Sequence, residues 1–534
     1  MTVRGYQMAV NWSRGDYTGL LEDMSSYVTK DDQITVSWGR DEPRATADGT
    51  SGKLTAVFNN DTRKFSPENV SSPIYGRVTS GAPSRLRVGD EATGLTTTLF
   101  EAPIDTFSID PSRVNNALTI NSLDGWGKPG NTQLSTTIYA GYRTGDLINV
   151  ILDAAGWPAA ARSIDPGVTQ VPYWWAEGTD AATAVLDLVH SDGPPAIAYV
   201  QNGIFYFRDR HHRVTQARSL TSQMTASHIV PAGPVSAGGS KILKNSFTYD
   251  HGLDYVVNSA KLDVTPRYPQ QLQVVWSTDD QIALVANASL TLVIQMDDPA
   301  INLQQPSAAV TYIDTGDVLT ADYRITQGSA TFTLSRTSGQ SAFLTVVAGA
   351  GGLSLADGIR VRGNPLTQGS ARSFSQSDPT SIATYGQNDW DGTAPWASFG
   401  DAEAIVNRIV SIYARPMPSV TFQIDAVLSA ATKTAILAAA ISDRITVRED
   451  DLGLNADFMI EQITHAVQQL GVRHMVTIGA QIAEPIQAVN PFTFDVAGKG
   501  FNQGQFALDA GNNPATMFRF DTAGHGFDQG VFAS

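Results

Sequence analysis

Residues 51–68 read SGKLTAVFNNDTRKFSPE, and how they are read decides the fold class of the chain. Lys53 to Phe58 mixes β-branched, aromatic and aliphatic side chains over a strand's length. Asn59-Asn60-Asp61 follows with short polar side chains that tolerate turn conformations, so the stretch predicts a hairpin. The same alternation recurs on either side, in GYQMAVNW, DQITVSW, SRLRVG, TTTLFEAPIDTFSI and NNALTINSLD. From Met1 to about Gly125 the chain therefore reads as short strands with polar turns, the pattern of a β-barrel or small sandwich.

Beyond it the period changes. In TGDLINVILDAAGW (144–157), Leu147, Ile148, Val150 and Ile151 are spaced for one helix face, and Gly156-Trp157-Pro158 stops the helix. A second helix is expected from about Asp180 to His190. It leads into AIAYV-QNG-IFYFRDR, where Asn202-Gly203 is a strong two-residue hairpin signal. Residues 240–265 return to strands. Residues 270–375, with ATFTLSR and AFLTVVAG, alternate like a β-sandwich insertion. A helix over 401–413 ends at Arg415-Pro416, and SVTFQIDAV, DRITVRE, ADFMIEQITHAV and RHMVTIGAQI read as strands of a second β-barrel. In the tail, FDVAGKGFNQGQFA (494–507) and FDTAGHGFDQGVFA (520–533) agree at ten of fourteen positions. Two copies are too few for a solenoid and read as small surface-docking units. Their glycine-rich frame buries little by itself, so Phe494, Phe501, Phe506, Phe520, Phe527 and Phe532 are expected to be partner-docking residues.

Composition limits the function. At 534 residues the chain exceeds a single domain, and it contains no cysteine, which excludes disulfides, thiolate metal sites and a cysteine nucleophile. A net charge of −16 with no Lys/Arg run argues against sequence-independent nucleic-acid binding. No apolar run suits a signal peptide or a membrane span, so synthesis in the cytoplasm without membrane insertion is expected. The adjacent His211-His212 pair lacks the carboxylate company of a metal site. GPVSAGGSK (233–241) fails the phosphate-loop pattern because Gly239 stands where the lysine belongs. The acid pairs Asp279-Asp280 and Asp297-Asp298 and the run Glu449-Asp450-Asp451 lie in turn-like stretches, favouring solvated loops over glycosidase chemistry or Ca²⁺ ligation. Trp174-Trp175 reads as packing rather than a sugar platform. The expectation is no enzyme, no cofactor and no metal.

The run GKLTAVFNNDTRKFSPENVSSPIYGRVTSGAPSRLRV (52–88) resembles the first barrel of the central tail-hub proteins of long-tailed phages, especially those of actinobacterial hosts. In that family a strand and an N-x-D-G-x-[FY]-x-P turn lead into S-P-L-Y-G-x-x-x-x-G-x-P; here Thr62-Arg63 replaces the usual glycine. Residues 145–210, IRVRGNPL (359–366), YGQNDW (385–390) and 441–467 resemble the same family in the same order. The resemblance implies a mainly β chain with an α+β module, two hub-type β-barrels, an inserted β-sandwich-like domain and a short C-terminal repeat tail. The divisions are 1–139 (first barrel), 140–239 (module), 240–269 with 376–485 (second barrel), 270–375 (insertion) and 486–534 (tail). It further implies a baseplate hub at the virion tail tip, a homotrimer whose barrels form a pseudo-sixfold ring. The ring's neighbours would be a distal tail protein, a tape-measure protein and fibre or receptor-binding proteins, with DNA passing through an acidic lumen without specific binding. Alternatives are a tail-associated cell-wall hydrolase, a distal tail ring protein, or a carbohydrate-binding module within 270–375.

Overall fold

A computed structural model describes the chain except residues 1–4, 14–16, 18–20, 30–32, 91–93, 112–115, 125–131, 229–238, 315–316, 469–470 and 485–534. The fold is mainly β, and its largest element is a 14-stranded sheet. The opening stretch lies near its middle as the strand Gly49–Asn59, with Leu54, Ala56 and Phe58 turned into the core. Asn59-Asn60-Asp61 does not fold the strand back into a hairpin with the residues that follow. Its partners are Gln33–Arg40 on one side and Asn116–Leu123 on the other. Past Asn59 the chain enters a run of turns, with backbone hydrogen bonds stepping from Asn60 to Arg63, Ser66, Asn69, Ser72 and Tyr75. Asn60 itself is fully buried. Its Oδ1 accepts the Phe65 N–H at 2.9 Å, and its Nδ2 donates to Ser66 Oγ and Asn116 Oδ1. Phe65 is thereby drawn in against Trp12 and Tyr27. Burying this aromatic ring stabilises the turn run more than an exposed hairpin loop could.

The two expected barrels are not closed hydrogen-bonded ladders. Instead, the strand Leu454–Gln468 joins the halves: residues 462–468 pair with Gln33–Arg40, residues 454–459 with Arg444–Glu449, and the opposite edge with Arg473–Ile482. At about 3.3 Å per residue, its 15 residues span some ~50 Å, enough to serve both halves. The N-terminal half is completed by Gly94–Pro111, which bends from Pro83–Asp90 to Asn116–Leu123. In each half a single antiparallel bridge, Val28↔Phe58 or Ile242↔Ile424, links outlying chain back to the sheet. One hydrophobic core containing Phe58, Phe65, Phe422 and Phe458 runs beneath both halves.

Helices Thr144–Ala154 and Ala181–Asp192 pack together against Ile197–Gln201, Ile204–Arg208 and Arg162–Ile164. Leu147, Ile148 and Ile151 are fully buried, as their helical spacing predicts, and Asp180 caps the second helix through the Thr183 N–H. Strand Ile197–Gln201 is buried on both faces: Ile197 and Tyr199 enter the main core, Ala198 and Val200 the helical one. This locks the module to the sheet. Asn202 and Gly203 turn the hairpin with φ of 56° and 78°.

Most of the inserted region is one seven-stranded sheet, with Tyr312–Asp314 and Asp317–Leu319 as a separate two-stranded ladder. A 28-residue strand, Ser341–Gln368, is its spine. Tyr323–Arg336 and Ala300–Gln304 pair along the spine, as do Ser289–Gln295, Ala283–Leu284, Gln273–Thr278 and Arg267–Pro269. Leu344 and Val346 share one core with Leu355, Ile359 and Val361, so the spine bends over that core. Within the spine Gly358 has a φ of 70°, and a β-carbon there would lie 1.8 Å from the Thr278 carbonyl oxygen. The helix Phe399–Tyr413, capped by Ser398 through the Asp401 N–H, buries Ile405, Val406, Ile409 and Val410 against the strands Ser259–Val264 and Arg372–Ser377.

Candidate docking groove

Three segments remote in sequence meet at the root of the inserted sheet. Strand Gln170–Trp174 brings Pro172 and Tyr173, strand Arg267–Pro269 with the preceding Pro266 brings Arg267 and Tyr268, and the lead into helix Phe399–Tyr413 brings Trp396 and Phe399. Between them is a groove of about 240 Å³. The Arg267 guanidinium carbon sits 3.9 Å from the Trp396 ring centre and 5.2 Å from that of Trp175. Its Nη1 donates to the Pro395 carbonyl at 2.7 Å, whereas its buried Nε has no hydrogen-bond partner. Among the described residues no carboxylate lies within ion-pair reach of it. Burial, opposed by attraction to Asp187, pushes its pKa down to about 10. Arg267 is thus a desolvated cation held by aromatic faces and carbonyls, an environment that favours an anionic visitor. Tyr268 stands 45% exposed beside it.

The tryptophans carry this corner. Trp174 is buried, and both Trp174 and Trp175 meet Trp396 edge-on. Trp175 packs beside Gly339, where a β-carbon would come within 2.9 Å of the indole. The pair therefore packs module against insertion, as expected of packing tryptophans.

Two buried polar clusters lie elsewhere. Glu461 is fully buried between two arginines: Arg40 Nε donates at 2.9 Å, and Arg213 Nη2 donates to both carboxylate oxygens at 2.7 and 2.8 Å. Arg40 also donates to the carbonyls of Ala47 and Pro195, tying strand, module and the shared long strand together. In the second cluster Asp192 accepts from the Thr144 hydroxyl and from the Val168, Thr169 and Arg210 N–H groups. Asp165 accepts from His212 at 2.7 Å and from the Asp209 N–H. Burial raises the Asp165 pKa, but the His212 hydrogen bond and the His212 and Arg208 charges bring it below the ordinary value. Burial, then the neighbouring Asp192 and Asp165, pushes Asp209 up to about 7. These carboxylates spend their lone pairs closing loops.

A histidine pair is buried on the shared sheet. His465 Nδ1 and His474 Nε2 are 2.8 Å apart, with His465 stacked on Trp38. Burial lowers both pKa values, and each ring's neighbour reinforces the effect, His474 for His465 and Lys433 for His474.

The six phenylalanines Phe494, Phe501, Phe506, Phe520, Phe527 and Phe532 lie outside the described residues, as does most of the 233–241 stretch. Asp279, Asp280, Asp297 and Asp298 are exposed. Glu449 departs from the solvated-loop expectation: it is buried, with His228 Nδ1 at 2.6 Å from its Oε2, while Asp450 and Asp451 stay exposed. His212 of the histidine pair serves Asp165. Among the described residues, no three of His, Asp or Glu are grouped to hold a metal ion, and no helix is long and apolar enough to cross a membrane. Arg267 and Trp396 went unnoticed in the sequence. Their only sign there is the proline beside each, in TPRYP and APWASF.

No family model and no curated protein matches the chain. Among solved structures it is similar to a tail protein from Neisseria meningitidis MC58, at 9% identity over 90% of this chain and 99% of that one, with a TM-score of 0.47. It is also similar to the prophage MuSo2 43 kDa tail protein from Shewanella oneidensis, at 8% identity over 89% and 98% of the two chains and a TM-score of 0.46. A prophage tail protein, gp18 from Listeria monocytogenes EGD-e, matches at 8% identity over 89% and 94%, with a TM-score of 0.41.

Proposed function

We propose that the chain is a structural hub of a phage tail tip or baseplate, one subunit of a trimeric ring that closes the tail tube and carries fibre or receptor-binding proteins. The observation that carries this reading is the ordered series of tail-hub-like segments over 52–88, 145–210, 359–366, 385–390 and 441–467. On the structure, the first and last of these fall on the two halves of the shared sheet, and 145–210 falls on the module between them. In this reading each half is one hub barrel, its outlying chain returning to the sheet at the bridge Val28↔Phe58 or Ile242↔Ile424, and the divisions at 1–139, 140–239, 240–269 with 376–485, 270–375 and 486–534 are its parts. Three subunits with two similar halves each would give a pseudo-sixfold ring, closed as homo-oligomers usually are. A distal tail protein and a tape-measure protein would stand above it, with fibres below. The charge of −16 suits a lumen that DNA crosses without sticking. A non-enzymatic role is supported by the exposed aspartate pairs and by buried carboxylates already committed to loops. The repeat tail, with its six phenylalanines, would dock a partner.

Native mass measurement of the purified full-length chain tests the reading. A trimer is expected. A strict monomer at micromolar concentration would count against it, and a hexamer would favour a distal tail ring.

A further inference from the structure

The groove at Arg267 offers two things together: a desolvated guanidinium with no carboxylate of the described residues within ion-pair reach, and a wall of Tyr173, Tyr268, Trp396 and Phe399. A matching ligand carries an aromatic ring next to a carboxylate. The chain itself contains that pair twice in one setting, as Phe492-Thr493-Phe494-Asp495 and Phe518-Arg519-Phe520-Asp521, at the head of each tail repeat.

Reach decides which copy can be used. The described chain ends at Glu484, whose carboxylate accepts from Arg408 Nη2 at 2.7 Å and from the Tyr413 hydroxyl at 3.0 Å. Arg408 and Phe399 lie on the same helix, nine residues apart. At about 1.5 Å per residue, the groove is therefore only some ~14 Å from that anchor along the helix. Phe494 is ten residues beyond Glu484. Extended chain covers at most about 3.3–3.6 Å per residue, so roughly 35 Å of tether spans the distance with slack. We infer that the Phe494-Asp495 unit docks in the Arg267 groove of its own chain, the ring among Tyr173, Tyr268 and Trp396 and the carboxylate on the Arg267 guanidinium. This replaces the partner-docking reading for the first repeat and keeps it for the second: one repeat is held at the subunit's flank, and the other, beginning at Phe520, extends from a fixed point toward a neighbour.

The absence of native cysteine makes the test clean. In the otherwise wild-type full-length chain, Tyr268→Cys is combined with Val496→Cys and oxidised mildly, and the rate of intramolecular disulfide formation is followed by gel mobility. Pro172→Cys on the opposite wall serves as a second partner should Tyr268→Cys fold poorly. The double-cysteine chain is expected to cross-link within the subunit. Adding Phe494→Ala or Asp495→Asn, both outside the described residues, should slow the reaction about tenfold, the effect of losing about 1.4 kcal/mol of docking. Equal rates with and without these changes would mean mere tethering and overturn the inference, as would cross-links formed only between chains. Protection of residues 265–268 from hydrogen exchange by a glucuronate-bearing oligosaccharide, in a chain whose tail gives none, would assign the groove to an acidic sugar and equally overturn it. None of these readouts requires ring assembly or a tail partner, so failure here leaves the tail-hub reading standing, and a monomer in native mass measurement leaves this inference standing.

Discussion

Acidification should destabilise the shared sheet through its buried histidine pair. His465 and His474 face each other at 2.8 Å, so one ring nitrogen donates and the other accepts, and both rings are neutral. A proton taken up at the accepting nitrogen would set two N–H groups against each other, and one taken up at a far ring nitrogen would place a charge in a buried site. For His474, burial and the Lys433 charge, opposed by Asp425, push the pKa from the ordinary 6.5 down to about 4. The unfolded chain therefore takes up this proton below about pH 6.5, while the folded chain resists until about pH 4; in between, the unfolded state binds more protons and stability falls as pH falls. The contribution is fully present above about pH 6.5. Keeping the ring neutral from about pH 6.5 down to about pH 4, at 1.36 kcal/mol for each pH unit, makes its full size about 3 kcal/mol. Urea unfolding followed by tryptophan fluorescence, on the wild-type chain and on His474→Gln, isolates this part from the general titration of carboxylates. The glutamine variant should be less stable near neutrality, since it perturbs a buried hydrogen bond worth about 1–3 kcal/mol when broken. The gap between the two proteins should then shift by about 3 kcal/mol in the variant's favour on going from about pH 7.5 to about pH 4. A gap that stays constant with pH would refute the reasoning.

Glu461→Gln should cost about 3–5 kcal/mol by leaving Arg40 and Arg213 as buried charges without a counter-ion; equilibrium unfolding checks it, and replacing all three residues with apolar side chains of similar volume should recover most of the loss. Gly358→Ala should lower the thermal midpoint, because the added carbon meets the Thr278 carbonyl at a positive φ; calorimetry should show the change in the transition of the inserted sheet. Deleting residues 491–534 should leave the ring assembled but tail tips without one partner protein, as seen by electron microscopy of reconstituted tails; loss of the ring itself would contradict the docking role of the tail.

The local periodicities were legible in the sequence. Leu147, Ile148 and Ile151 fall on one helix face, Asn202-Gly203 forms the hairpin turn, and the strands of the 419–482 region stand where alternation placed them. The turn at Asn59-Asn60-Asp61 looks like a hairpin in the sequence because an asparagine that caps a surface loop and one that is buried to hold Phe65 are identical in one dimension. The continuous sheet was missed for a related reason. Arg40 and Glu461 touch across 421 residues of chain, and no local pattern records that Gln33–Arg40 selects Leu454–Gln468 as a neighbour. Within the inserted sheet, alternation shows which residues face inward, but not that one long strand bends so that both of its halves face the same core. The groove was invisible because Tyr173, Arg267 and Trp396 acquire their meaning only from a junction of three segments.

The strand common to both halves also sets how the subunit answers force. A pull applied to the N-terminal half along Gln33–Arg40 is transmitted directly into Leu454–Gln468 and then into Arg473–Ile482, loading successive rows of backbone hydrogen bonds in shear rather than peeling them one at a time. With the Arg40–Glu461–Arg213 contacts bolting the same crossing, the halves move as one stiff plate. Yielding under load is then expected first at the root of the inserted sheet, where Trp175 packs beside Gly339 and under the Arg267 guanidinium.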